Sequence, residues 1–299
     1  MYPSISEPPH RRRSGRGRAR RRCLPGLIAA LALIATSCGS KAGSSSTSQS
    51  STTTVASSGP TSPVKIEGRE LDQFAAFSPG AEAKLPAAPK TAALERSYLI
   101  AVFDDAQSVW RREFTEAHLA YRPARDVVFW SQIHSKCGEH EDSGPFYCPA
   151  DHTVYLDLRF FTLLLHESHV GPAAQAYIIG HEVGHHVQRL VGVAQRVDAA
   201  NHADPSGSNT RSVQTELQAD CLAGVWARSA YPRSGLSVSD LNEALKTAHV
   251  IGDDYLAIAS GGVVDSALWT HGSSLQRQQW LRTGYQSGRP GACDTFSRG

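Results

Sequence analysis

Hydrophobic positions in the C-terminal two thirds of the chain recur mostly at intervals of three and four residues, the spacing of a helix with one buried face. This pattern predicts one or two helices over residues 92–120. It predicts further helices over residues 172–191, 212–230, 238–248 and 274–285. Pro172 and Gly192 mark the start and the end of the first of these, because Pro suits a first helical turn and Gly a helix end.

Two short segments have the composition of strands. Residues 126–130 and 153–158 are rich in β-branched and aromatic side chains, and we expect them to lie on either side of a loop. The roughly 210 residues after position 90 suffice for one sizeable core. The predicted fold class is therefore α+β, mostly α, with one domain over residues 91–299 and a small sheet.

Upstream of this domain the hydrophobic pattern is lost. Residues 39–63 are almost wholly Ser, Thr, Gly and other small residues, a composition typical of a flexible linker because it cannot bury enough apolar area to fold. Residues 68–90, rich in Pro and Ala, are expected to form an extended arm on the domain surface. Residues 38–90 are thus predicted to be a tether.

The N-terminus resembles a secretory signal. Eight arginines at residues 11–22 precede an apolar run at residues 24–35, and Cys38 follows small residues. This order is typical of a lipoprotein signal at residues 1–37, cut before Cys38, whose thiol would carry the lipid. Ala35 stands where such signals usually have Leu, so an uncleaved N-terminal anchor remains the alternative. Either way the domain is expected outside the cytoplasm, attached to the bacterial cell membrane.

The formal net charge of +2 belongs mostly to this leader. Residues 38–299 hold 22 basic and 27 acidic residues, a net charge of −5. A mildly acidic mature chain has no basic field for nucleic acid, and the arginines are better explained as targeting signals. We therefore expect no nucleic-acid partner.

The sequence His181-Glu182-Val183-Gly184-His185 is the strongest indication of chemistry. Residues i and i+4 share one face of a helix, so His181 and His185 can bind one Zn²⁺. Glu182 can then act as the general base toward a water molecule. The pattern is that of a zinc hydrolase with one Zn²⁺ per chain.

A third ligand is predicted at Glu216, 31 residues after His185 in a second helical stretch. Asp220 follows four residues later on the same face and would accept the second N–H of a ligand imidazole. This His₂Glu set is the gluzincin arrangement. The alternative is that Glu216 and Asp220 are only the solvated face of an amphipathic helix.

Four cysteines remain after the leader and Cys38 are set aside. An even number in an oxidising compartment favours two disulfides, and the short separation pairs Cys137 with Cys148. Cys221 with Cys293 follows by elimination. A zinc site of four thiolates is disfavoured because no CxxC pair is present.

Five sequence blocks together resemble the neutral zinc metallopeptidase family of bacteria. The blocks are HEVGHHVQ at 181–188, ELQADCLAGVWA at 216–227, FYCPAD at 146–151, THGSSLQR at 270–277 and GACDTF at 291–296. The resemblance covers the chain from about residue 90 onward and implies a zincin-like fold, zinc binding and a peptidase-type site. By similarity to other HExxH peptidases, residues 153–158 are either an edge strand that pairs with a peptide or a core strand.

The segment His271–Arg277 is similar to one in the membrane-associated CAAX-protease-like metallopeptidases, where the histidine lies in the active site. The resemblance implies that His271 stabilises the negatively charged oxygen that forms when water attacks a peptide carbonyl. It also implies that Arg277 holds His271 in place. The alternative is a loop histidine and a surface arginine.

Two other polar clusters are not expected to be sites. Residues 166–169 hold two histidines three apart and are predicted to be a loop, and residues 139–142 are predicted to be solvated surface. The expected function is zinc-dependent hydrolysis of a peptide or protein substrate. The alternatives are a catalytically idle zinc-binding envelope lipoprotein, acting as scaffold or inhibitor, and a hydrolase of other amides.

Overall fold

The computed structural model describes most of the chain from residue 66 to residue 297. The described residues are 66, 68–79, 82, 84–87, 89, 91–141, 143–167, 171–234 and 236–297. The predicted leader, the Ser/Thr-rich segment and the lipidation site Cys38 lie outside them. Within the described residues, no helix is long and apolar enough to cross a membrane.

Eight α-helices form most of the described part of the chain. They are α1 (Ala92–Glu116), α2 (Leu158–Glu167), α3 (Pro172–Leu190), α4 (Val193–Ala203), α5 (Ser208–Arg233), α6 (Val238–Val250), α7 (Asp253–Ala259) and α8 (Ser274–Ser287). The prediction of a mostly α-helical α+β fold is confirmed. Helices α2, α4 and α7 are not among the predicted helices; α4 buries only three side chains and α7 none. Residues 166 and 167, predicted as loop, end helix α2 instead.

Five short strands form two small sheets. They are β1 (Arg125–Phe129), β2 (Gln132–Ser135), β3 (Gly138–Glu141), β4 (Phe146–Cys148) and β5 (Thr153–Asp157). Strand β5 lies between β1, which is parallel to it, and β4, which is antiparallel, while β2 and β3 form a hairpin. All five residues of β5 are buried. Of the two interpretations of residues 153–158, the core strand is therefore correct, because both edges of β5 are already paired.

Helices α5 and α8 are packed unusually closely. A Cβ atom on Gly284 of α8 would lie 1.9 Å from the carbonyl oxygen of Cys221 on α5, so only Gly allows this approach. Cys221 is also bonded to Cys293, and Cys137 is bonded to Cys148. The structure thus contains both predicted disulfides, and the second ties the C-terminal segment to α5.

The segment before α1 contributes to the main core. Leu71, Phe74 and Phe77 are buried in the same cluster as Trp110, and the Phe77 ring centroid lies 4.8 Å from that of Trp110. These three side chains are part of the core, whereas residues 68–90, with their prolines and alanines, were predicted to lie on the domain surface. The predicted domain boundary at residue 91 separates them from the core that they complete.

Candidate active site

Helices α3 and α5 bring together the three side chains predicted to bind a metal. His181 and His185 lie one turn apart on α3, and their Nε2 atoms are 3.1 Å from each other. The Glu216 carboxylate on α5 lies 3.1 Å from His181 Nε2 and 3.4 Å from His185 Nε2. Among the described residues, these three form the one group of His, Cys, Asp or Glu side chains arranged to hold a metal ion.

The spacing of these three donors fits zinc. Ligands at about 2.0–2.2 Å from a tetrahedral Zn²⁺ lie about 3.3–3.6 Å from one another, and the observed separations are within a few tenths of an ångström of this. Two imidazoles and one carboxylate also suit zinc better than Mg²⁺ or Ca²⁺, which prefer oxygen ligands only.

Asp220 lies directly behind the His181 ring. Its Oδ1 atom is 2.8 Å from His181 Nδ1, which leaves His181 Nε2 to face Glu216. Tyr177 donates its hydroxyl to the same Oδ1 at 2.6 Å, and Arg277 donates to both carboxylate oxygens at 2.8 and 3.0 Å. The Asp220 side chain is fully buried, so these donors satisfy a charge that water cannot reach.

Arg277 holds Asp220 rather than His271, so the predicted contact with His271 is wrong, and so is the alternative of a surface arginine. Arg277 is a buried side chain that hydrogen-bonds to Asp220, Tyr177 and the carbonyl oxygen of Ile251.

Burial alone would raise the pKa of Asp220, but Arg277 and His181 lower that pKa to about 2. Burial alone would lower the pKa of His181, but Asp220 and Glu216 raise it to about 10.

Gln188 orients the second ligand histidine, a role that the sequence analysis missed. Its Oε1 atom accepts from His185 Nδ1 at 2.9 Å, while its Nε2 donates to the carbonyl oxygen of Thr215 and to Gln218. Gln218 in turn donates to the carbonyl oxygen of Cys293. Gln188 lies one turn after His185. This i,i+3 spacing is the feature of the sequence that indicates a contact between the two side chains.

Glu182 lies on the cleft side of α3 beside strand β4. Burial raises the pKa of its carboxyl group, and the backbone of Tyr147 hydrogen-bonds to it. The Tyr147 hydroxyl lies 3.0 Å from Nδ1 of His186, whose Nε2 donates to the carbonyl oxygen of Arg122 at 2.7 Å. Burial lowers the pKa of His186 to about 4, so this ring is neutral near pH 7. Its contact with Tyr147 connects α3 to β4.

One cleft of about 340 Å³ is lined by Tyr147, Tyr177 and Gln188 as well as by the residues predicted to act on substrate or metal. One wall, formed by β4 and its flanks, is largely apolar and includes Phe146 and Pro149. Other lining residues come from α4 and the start of α5, among them Asp198, Asn201 and Asn209. His271 lines the cleft with Glu182 and the three metal-binding candidates.

Of the two clusters not expected to be sites, residues 139–141 lie in strand β3, whereas residues 168 and 169 are outside the described residues. Glu139 and Glu141 are exposed as predicted, but His140 is buried, and its ring stacks on Phe146 with centroids 3.7 Å apart. Among the described residues they form no metal-binding group.

Comparisons with known proteins agree with the site chemistry. The sequence profile of the family described as "Putative neutral zinc metallopeptidase" matches residues 65–296. "Uncharacterized protein YpfJ" of Escherichia coli strain K12 is 40% identical over 205 residues, covering 68% of this chain and 70% of that protein.

"Uncharacterized protein Rv2575" of Mycobacterium tuberculosis strain H37Rv is 39% identical over 215 residues, covering 67% of this chain and 70% of that protein. No solved structure matches the chain significantly. The family profile spans the described fold and both relatives align over two thirds of the chain. The chain therefore belongs to the family described as "Putative neutral zinc metallopeptidase".

Proposed function

We propose that this chain is a zinc-dependent peptidase that hydrolyses peptide bonds with Glu182 as general base. The observation that supports this most directly is the His181–His185–Glu216 group with Glu182 beside it in the same cleft. A zinc-binding scaffold would need the three ligands but would have no chemical use for the carboxylate of Glu182.

In this mechanism, His181, His185 and Glu216 would hold the zinc ion, while Asp220 and Gln188 fix the orientation of the two imidazoles. Zinc, when bound, supplies Lewis acidity and a water of lowered pKa. Glu182 accepts a proton from water as the water oxygen attacks the peptide carbonyl carbon, and it passes that proton to the amide nitrogen as the C–N bond breaks. His271, which lines the cleft, donates a hydrogen bond to the oxygen that gains charge in the transition state.

The proposed location is the outer face of the bacterial cell membrane, with a lipid on Cys38. The two disulfides support an oxidising compartment outside the cytoplasm. A test is to fractionate cells that produce the full-length chain or its Cys38→Ser variant. We expect the parent chain with membranes and the variant either soluble or unprocessed. Recovery of an unmodified Cys38 in the soluble fraction of the parent would contradict lipidation.

The activity is tested by digesting a peptide library with the full-length chain. Cleavage should stop on chelation and return when zinc is restored, with products read by mass spectrometry. Zinc binding without cleavage of any peptide would contradict the peptidase assignment and favour the scaffold. Cleavage that survives complete metal removal would contradict zinc dependence.

A further inference from the structure

Asp253, the first residue of α7, holds together the turn at residues 270–272, of which Thr270 and His271 line the cleft. Its Oδ2 atom accepts the backbone N–H groups of Thr270, His271 and Gly272 at 2.9, 2.7 and 2.9 Å. Its own N–H donates to the carbonyl oxygen of Gly272 at 2.9 Å. One carboxylate therefore satisfies three consecutive donors, and it is itself largely shielded from water.

The same turn is seated on the helix that carries Glu216. Gly272 has a φ of +95°, and a Cβ atom there would lie 3.1 Å from the Leu217 side chain, so the position requires Gly. The Ser212 hydroxyl donates to the carbonyl oxygen of Thr270 at 2.9 Å. The backbone of His271 is thereby fixed relative to Glu216.

Asp253 also faces the ring of His271. Its Oδ1 atom lies 3.4 Å from His271 Nδ1, and the Thr270 hydroxyl lies 2.9 Å from the same nitrogen. The two nitrogens of an imidazole point in different directions. Because Nδ1 of His271 faces Asp253 and Thr270, Nε2 is the nitrogen available to the cleft.

We propose that Asp253 is the positioning residue for His271, setting both the path of its backbone and the direction of its ring. The proposal rests on the proposed peptidase function, in which His271 acts on the reacting carbonyl. Without the carboxylate, three backbone donors lose their acceptor and the turn can relax. A displacement of about 1 Å is enough to cost about 10²-fold in rate.

The kinetic test compares Asp253→Ala, His271→Ala and the double variant in the full-length chain at equal zinc content. Asp253→Ala and His271→Ala should each lower kcat about 10²-fold with KM nearly unchanged, since an oxyanion donor acts in the transition state. Because Asp253 acts through His271, the double variant should be no slower than His271→Ala alone. Losses that multiply in the double variant would overturn the proposal.

Asp254→Ala is the matched control. Asp254 is the next residue of α7 and also accepts a backbone N–H, since its Oδ1 accepts the N–H and the hydroxyl of Ser274, both at 2.7 Å. We expect this variant to keep kcat within about threefold of the parent. An equal loss of kcat in Asp254→Ala and Asp253→Ala would show a general effect of weakening α7 and would overturn the proposal.

A second readout does not depend on hydrolysis. Asp253→Asn keeps an oxygen for the backbone donors but can place an amide group against His271 Nδ1. In ¹⁵N-histidine NMR spectra, with the His271 signals assigned by their loss in His271→Ala, the ring nitrogens should shift in Asp253→Asn and stay in place in Asp254→Asn. Unshifted signals in Asp253→Asn would overturn the positioning role. If the parent chain cleaves no peptide, the proposed function fails, while these shifts still decide whether Asp253 orients the ring.

Discussion

Arg277 of α8 donates two hydrogen bonds to Asp220 of α5, and both side chains are at most 2% exposed. Asp220 bonds His181 with the same carboxylate. The ion pair therefore connects the packing of α8 against α5 to the orientation of a candidate zinc ligand. Gly284, two turns further along α8, allows the two helices to approach closely enough for Arg277 to reach Asp220.

Asp220→Ala should weaken zinc affinity by about 10- to 100-fold, because His181 loses the acceptor that orients its ring. It should also lower the free energy of unfolding by about 3–5 kcal/mol, because the Arg277 charge stays buried without its partner. Chelator competition and denaturant titration measure the two effects. Asp198→Ala, which removes an Asp 68% exposed in its side chain, is the control and should change neither.

Gln188→Ala should weaken zinc affinity by about tenfold or more, because His185 loses the acceptor of its Nδ1–H. Gln195→Ala is the matched control, since Gln195 also bonds through its amide but lies exposed on α4. The measurement is again chelator competition. Equal zinc affinity in the two variants would show that Gln188 serves only the packing of α3 on α5.

The two disulfides should contribute unequally to stability. Cys221–Cys293 spans 72 residues and Cys137–Cys148 spans 11, so loop-closure entropy predicts about 4 and about 3 kcal/mol. Paired Cys→Ala variants, unfolded in denaturant, measure both. We expect the Cys221/Cys293 variant also to bind zinc less tightly, because Gln218 connects Gln188 to the Cys293 carbonyl. Wild-type zinc affinity in that variant would contradict this link.

Local sequence patterns were sufficient for the parts of the fold that local interactions specify. The helix from Pro172 to Leu190 has its start, its stop and an apolar face within 21 residues, and the four-residue spacings place His181 with His185 and Glu216 with Asp220. These spacings operate within one helix, so a single sequence contains them.

The contacts between distant segments could not be predicted in this way. Arg277 meets Asp220 from 57 residues away, and Asp253 meets His271 across 18 residues. In the sequence, Asp253 is followed directly by Asp254 in a segment that looks solvent-exposed. No local spacing shows which of the two contacts His271. Strand β4 has only three residues and was overlooked, although its flanks form the apolar wall of the cleft.

The central claim is that Glu182 performs the proton transfer while His181, His185 and Glu216 hold zinc. Glu182→Gln keeps the size and shape of the side chain but removes the base. The decisive measurement is zinc content and peptide hydrolysis on the same preparation of this variant. We predict about one zinc per chain, as in the parent, with hydrolysis lost by a factor of at least about 10². Unchanged turnover in the zinc-loaded variant would contradict the account.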